Sequence, residues 1–100
     1  MATPVEFHRL ADDEVFTARR YYAGASAGVA ARFLAALYEA VARIGTHPVG
    51  WPPAAYGTRA CRLQKFPYRL VYVEEPARVL VLAVPHNSRR PGYWRRRLSP

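Results

Sequence analysis

Residues 66–86, FPYRLVYVEEPARVLVLAVPH, hold two apolar runs separated by a short turn, and their reading decides the fold. Phe66–Glu74 is rich in β-branched and aromatic residues and sets Leu70 and Tyr72 opposite Arg69, Val71 and Val73, the alternation of a strand with two different faces. Glu75-Pro76-Ala77 supplies the turn. Arg78–His86 is apolar at almost every position, as a strand covered on both faces is, so it is expected at the centre of the sheet. Immediately upstream, Arg59–Lys65 alternates again, with Cys61 and Leu63 on one side and Arg62 and Gln64 on the other. Three consecutive strands of this kind form an antiparallel meander. Arg62 and Arg69 can then share a face, although register is not fixed by the pattern.

Working back toward the N-terminus, THPVGWPPAAYGT (residues 46–58) is a loop with three prolines and two glycines. Its Trp51 and Tyr56 give it something to bury. Val29, Phe33, Ala36, Leu37, Ala40, Val41 and Ile44 recur at intervals of three and four, which predicts an amphipathic helix. Ser26 is its expected N-cap, and Gly45 with Pro48 its end. Ala11, Val15, Ala18 and Tyr22 mark an earlier helix over 11–23, with Asp12, Asp13 and Glu14 in its first turn and Gly24 as its stop. Thr3–His8, carrying Val5 and Phe7, reads as a short first strand. Two helices with so short a connection pack as a hairpin. The sum is a β-α-α-β-β-β chain of class α+β: a helical hairpin on a small, mostly antiparallel sheet, expected to be one domain over 1–100 with a basic C-terminal segment over 87–100.

Charge is unevenly placed. Residues 1–50 balance five arginines against five acids, whereas residues 51–100 hold nine arginines and Lys65 against Glu74 and Glu75 alone. The whole formal charge of +8 therefore belongs to the second half, which favours an acidic or polyanionic partner. The sole cysteine, Cys61, permits no internal disulfide, is expected to be buried, and fits a reducing cytoplasm. No apolar run approaches the ~18 residues of a membrane span, so no membrane contact is expected and the location is expected to be cytoplasmic. His8, His47 and His86 are scattered, and neither metal-ligand spacing nor a phosphate-binding glycine loop is present; no metal and no cofactor is expected.

The remaining chemistry is cationic and aromatic. Arg59, Arg62, Lys65 and Arg69 come from successive strands, and Asn87, Arg89, Arg90 and Tyr93 follow the last one. Guanidinium forks suit phosphate oxygens and aromatic rings offer a stacking face. Such a set serves equally as a docking surface or as a metal-free ribonuclease in which arginine stabilises the phosphorane and tyrosine protonates the leaving oxygen.

FPYRLVY (66–72), followed by a turn, an apolar strand and AVPHNSRRPGYW (83–94), resembles the RelE/ParE superfamily of bacterial type II toxins. FTARRYYAGAS (16–26), FLAALYEAVARIGTHPVGWP (33–52) and ACRLQKFPYRLVY (60–72) are similar to its helical hairpin, its post-helix loop and its arginine-bearing strands. The resemblance implies a toxin neutralised in a hetero-oligomer by a cognate antitoxin, whose acidic or amphipathic segment covers the basic face. It divides over the target. In the RelE-like branch, a ribosome-dependent, metal-independent mRNA endoribonuclease, Arg69 and Tyr93 fall on catalytic positions. That branch's second arginine falls on Asn87, a basic position on His86, and its lysine pair is replaced imperfectly by Arg59, Arg62 and Lys65. The ending His86-x-x-Arg89-x-Pro91-x-Tyr93-Trp94 is closer to the plasmid-stabilisation, ParE-type members, which implies inhibition of DNA gyrase. Arg59, Arg62, Lys65, His86, Asn87, Arg89, Arg90 and Trp94 are accordingly the expected contacts to target or antitoxin. Trp94 is read either as such a contact or as a latch docking the tail on the sheet, and Arg95–Arg97 as a fraying end.

Overall fold

A computed structural model describes residues 2–98. The elements run β1 (Val5–Phe7), α1 (Arg9–Ala25), α2 (Ala27–Thr46), β2 (Arg59–Arg62), β3 (Arg69–Glu74) and β4 (Val79–Ala83), with short 3-10 turns at Pro48–Gly50, Ala55–Gly57 and Arg95–Leu98. The four strands form one sheet in the order β1-β4-β3-β2. β2–β3 and β3–β4 are antiparallel, and β1 lies parallel to β4 through Val5↔Val79, Glu6↔Leu80 and Phe7↔Val81. The α+β expectation and the central place of the most apolar strand therefore hold.

Several boundaries move for identifiable reasons. α1 starts two residues early because the His8 Nδ1 accepts the Leu10 amide at 3.0 Å, a cap formed by a residue with no strong reputation for it. Of the three acids, only Asp12 stays in the first turn; Glu14 is carried one turn further along. Gly24 does not stop the helix. Ser26 does, in an extended conformation, and the same residue caps α2 by accepting the Val29 amide at 3.0 Å. One residue thus ends one helix and begins the next, which sets the hairpin tightly. α2 runs through Gly45, where a Cβ would stand 3.1 Å from the Thr3 carbonyl oxygen and 3.4 Å from Val5 Cγ2. The absence of a side chain lets the entry to β1 lie directly on the helix, with the Thr3 amide bonded to the Gly45 carbonyl at 2.8 Å.

β2 ends at Arg62 rather than Lys65, because Lys65 takes a left-handed φ of 68° and the chain turns back. Phe66 folds under the helices, where it meets Tyr22 and Phe33 edge-on at 5.1 and 5.5 Å. β3 then begins at Arg69, after Pro67, which has no amide for the ladder.

The sheet is covered on both faces, but unequally. Beneath the helices Phe33, Leu37, Ala40 and Ile44 of α2 and Ala11 and Ala18 of α1 pack on Cys61, Leu70, Tyr72, Val79 and Val81. Burial pushes the Cys61 thiol up, so it stays protonated and inert. Burial likewise raises Tyr72 to about 12, and its hydroxyl donates to the Pro48 carbonyl, tying the proline loop to the sheet. On the far face a second, smaller cluster joins Val71, Leu82 and Ala83 to Trp94. A register shift makes this cluster possible. Val71 faces Ala83 and Tyr72 faces Val81, so Leu82 is an extra residue and both Leu82 and Ala83 contribute to the far side. The tail folds across that face.

Candidate functional site

The tail is built in three steps. After β4 the chain continues beside β3 without joining a regular strand: the Arg69 amide bonds to the Pro85 carbonyl at 3.1 Å, and the Asn87 amide to the Pro67 carbonyl at 2.7 Å. A turn follows at 86–89, closed by the Arg89 amide on the His86 carbonyl at 2.9 Å and by the Ser88 amide on His86 Nδ1 at 3.1 Å. The chain then bends at Gly92, whose φ of 88° only glycine takes without strain and against which the Tyr56 ring lies. That bend drives Trp94 into the far-face core at 2 % exposure.

Two concavities flank this tail. The first, about 450 Å³, lies between the far face of the sheet and residues 87–91. Arg62 and Arg69 are direct register partners across β2 and β3, and both line it, together with Asn87, Arg89 and Arg90. Like charges placed opposite each other on neighbouring strands repel. No acid lines the cavity to offset them. Both acids of the second half are spent elsewhere: Glu74 on Arg59 at 2.9 Å and Glu75 on Arg78 at 2.6 Å. Among the described residues the ion pairs engage Arg43, Arg59, Arg78 and Arg97, and none involves Arg62, Arg69, Arg89 or Arg90. Arg62, Arg69, Arg89 and Arg90 thus share one concave face outside any ion pair, while the exposed Arg9, Arg19, Arg20, Arg32, Lys65, Arg95 and Arg96 carry further charge elsewhere on the surface.

The second concavity, about 400 Å³, lies between α1 and the tail and is organised by Glu14. The Glu14 carboxylate accepts the Val84 amide at 2.8 Å, the Tyr93 hydroxyl at 2.7 Å and both terminal nitrogens of Arg97 at 3.1 and 3.0 Å. Arg97 also donates to the Leu82 carbonyl at 2.8 Å, at the residue that the bulge leaves without a ladder partner on β3. Burial by itself raises the Glu14 carboxyl, but the hydrogen bonds from Arg97, Val84 and Tyr93 outweigh it and hold the group below the usual carboxylate value. Tyr93 moves the other way. Burial first, and then its bond to Glu14, push the phenol well above its ordinary value. Its ring also carries the Arg89 guanidinium at 3.9 Å and that of Arg97 at 5.2 Å.

A carboxylate whose folded value is depressed stabilises the fold above its unfolded value, and that stabilisation is lost as pH falls through the folded value. The Glu14 clasp is thus complete above the reference pKa of 4.5 and weakens only below it. Amide exchange of residues 93–97, measured from neutral pH downward and corrected for intrinsic rates, should stay constant until pH falls below about 4.5 and then accelerate.

The expected contact residues divide accordingly. Arg62, Asn87, Arg89 and Arg90 surround the basic concavity with Arg69. His86 is exposed, but its Nδ1 is committed to Ser88 and its ring meets Tyr68 edge-on at 5.3 Å. Lys65 stands in the β2–β3 turn away from the concavity. Arg59 is corrected in placement: it alternates onto the helix side of β2, bonds to Glu74 and to the Trp51 carbonyl, and is held as a structural tie. Of the two readings of Trp94, the latch matches its position: the ring is buried over Val71 and Leu82, while the residue also forms part of the wall of the basic concavity. The fraying expected of Arg95–Arg97 gives way to a 3-10 turn with Arg97 clasped; residues 99 and 100 lie outside the described residues. Arg69 and Tyr93 are not brought together: Arg69 lines the first concavity, Tyr93 the second, and Arg89 borders both. Glu14 was missed as a site residue, since its partners stand 70 to 83 positions away and no local pattern marks it. Among the described residues no group of His, Cys, Asp and Glu could hold a metal, and no helix is long and apolar enough to cross a membrane.

The chain is similar in fold to a chromosomal ParDE TA system from P. aeruginosa, with a TM-score of 0.71 and 16 % identity over 85 % of this chain and 96 % of the other. Residues 5–91 match the family of the ParE toxin of type II toxin-antitoxin system, parDE, and the chain belongs to that family. A search of curated proteins returns no match.

Proposed function

We propose that the chain is the toxin of a type II pair, held in a hetero-oligomer by an acidic or amphipathic antitoxin segment, and that it acts in the cytoplasm by binding DNA gyrase rather than by cutting message. Membership in the ParE family supports the toxin reading. One observation carries the choice of target: the two groups a ribonuclease would need are separated and one is disarmed. Tyr93 already gives its proton to Glu14 in a hydrogen bond and has a raised pKa, which makes it a poor general acid. Arg69 lines a different concavity and spends one donor on the His86 carbonyl at 3.2 Å. Position 87, next along, is Asn. What remains is a binding surface with unmatched charge, suited to fast, salt-sensitive association.

Tyr93→Phe separates the readings. The change removes one hydrogen bond to a charged group, an expected cost of roughly 1.5–3 kcal/mol in stability. It should leave growth arrest intact below the variant's melting range, with DNA damage and an SOS response on induction. A ribonuclease dependent on that hydroxyl would instead lose on the order of a hundredfold or more in rate. Codon-positioned cuts in message that vanish in Tyr93→Phe would overturn the gyrase reading.

A further inference from the structure

The basic concavity has a property that simple masking by an antitoxin does not explain. It is assembled so that its charges repel one another in the free protein. Arg62 and Arg69 are opposed across the ladder, Arg89 and Arg90 are brought to them by the 86–89 turn, and no carboxylate lines the space. A second, independent observation lies in its wall. Trp94 contributes to the lining, and its buried Nε1–H has no acceptor among the described residues. Buried donors are nearly always satisfied in folded proteins, so this one stands out in a wall shared with four arginines that no ion pair engages.

We propose that this concavity binds the phosphodiester backbone of a DNA strand. Arg62, Arg69, Arg89 and Arg90 line one space of about 450 Å³, with the Arg89 guanidinium also lying over the Tyr93 ring at 3.9 Å and Arg69 giving one donor to the His86 carbonyl. That is more donor capacity than a single carboxylate, with two oxygens, can use, whereas a nucleic-acid strand presents successive phosphates along a groove. Next to the lining residues Ala54 and Ala55, Tyr56 is held in a left-handed conformation at φ 59°, its ring edge-on to Trp94 at 5.9 Å and under the Arg95 guanidinium at 4.6 Å. Strained non-glycine residues of this kind persist where the surroundings hold them, often at binding sites. The proposal rests on the gyrase reading in one respect, the identity of the strand: it is the DNA in the toxin's target complex, so the toxin touches both enzyme and DNA.

The test uses the free chain and a labelled DNA duplex in fluorescence anisotropy over a salt series. Arg62→Gln/Arg69→Gln is compared with Arg19→Gln/Arg20→Gln, which removes the same charge from an exposed stretch of α1. The pocket variant should lose tenfold or more in affinity, and its log–log salt slope should fall by nearly two, since each neutralised phosphate contributes about 0.9 in duplex. The α1 variant should change by less than about threefold, as charges outside a contact do. Asn87→Arg adds a donor at the rim and should raise both affinity and slope, so the result does not depend on a loss that misfolding could mimic. Equal losses in both double variants or no measurable binding by wild type would each overturn the proposal. An RNA of the same sequence binding tenfold tighter than DNA would overturn the assignment to DNA. Because this binding is measured without gyrase, its failure leaves gyrase inhibition standing, and a failure of gyrase inhibition leaves this site standing.

Discussion

Trp94→Ala should destabilise the protein by about 3–5 kcal/mol, the range for removing a large aromatic side chain from a packed interior. The figure is large for a domain of this size, whose total stability is of order 5–15 kcal/mol. Trp94 is the one residue of the tail in the far-face cluster at 2 % exposure, and Val71, Leu82 and Ala83 have no other buried residue packed over them in that cluster. Without the ring, Val71, Leu82 and Ala83 keep only the partly buried Val73, Leu80 and Tyr93 packed against them on that face. The lost contacts also release the 3-10 turn that closes on the Trp94 carbonyl through the Arg97 amide at 2.9 Å. Chemical denaturation should show a lower midpoint, and exchange of the Arg95 and Arg97 amides should approach that of an unprotected chain. Trp94→Phe should cost much less, because it keeps an aromatic ring in the gap and removes the orphan indole donor. If Trp94→Ala melts within a degree or two of wild type, the tail is not part of the fold, and the site built on it is not preformed.

Glu14→Ala is the second large effect, and it acts through charge rather than volume. The substitution leaves Arg97, whose side chain is 12 % exposed, without its counter-ion and the Val84 amide without its acceptor. Removing one partner of a buried pair costs about 3–5 kcal/mol; the 20 % exposure of the Glu14 side chain lowers the expectation here to roughly 2–4 kcal/mol. Glu14→Gln keeps the shape and one acceptor and should lie between wild type and Ala. The two variants should also share a signature that Trp94→Ala lacks: their stability, unlike that of wild type, should lose its dependence on pH near and below 4.5 attributable to this carboxyl. An Ala variant with unchanged stability at neutral pH would mean that the clasp contributes nothing.

The fold was readable where a residue's environment is set by its neighbours in sequence. Apolar repetition gave both helices, and the unbroken apolar run of 78–86 placed β4 inside the sheet before its neighbours were known. Alternation allowed Arg62 and Arg69 to share a face but left the register open, and the fold makes them direct partners. Boundaries failed where a single residue's local chemistry overrode the average. His8 capped a helix that composition started later, and Gly24 was taken for a stop although Ser26, two residues on, could cap in both directions. The site was half legible. The arginines were visible as charge, but which were free depended on where seven acids lay in space. Glu74 and Glu75 removed Arg59 and Arg78 from the free charge, and Glu14 removed Arg97. Glu14 also accepts the Tyr93 hydroxyl and ties it to the Arg97 clasp. An acid in an N-terminal helix and a tyrosine near the chain's end share no pattern, so that pairing, on which the proposed choice of target rests, required the fold.

The central claim is that the chain is a toxin acting by occupancy of gyrase, without chemistry of its own. It is tested most directly by supercoiling of relaxed plasmid with purified gyrase, titrated with the free chain and with Tyr93→Phe. Both proteins should stop supercoiling over the same concentration range. Normal supercoiling at a saturating dose of folded wild-type chain would contradict the account.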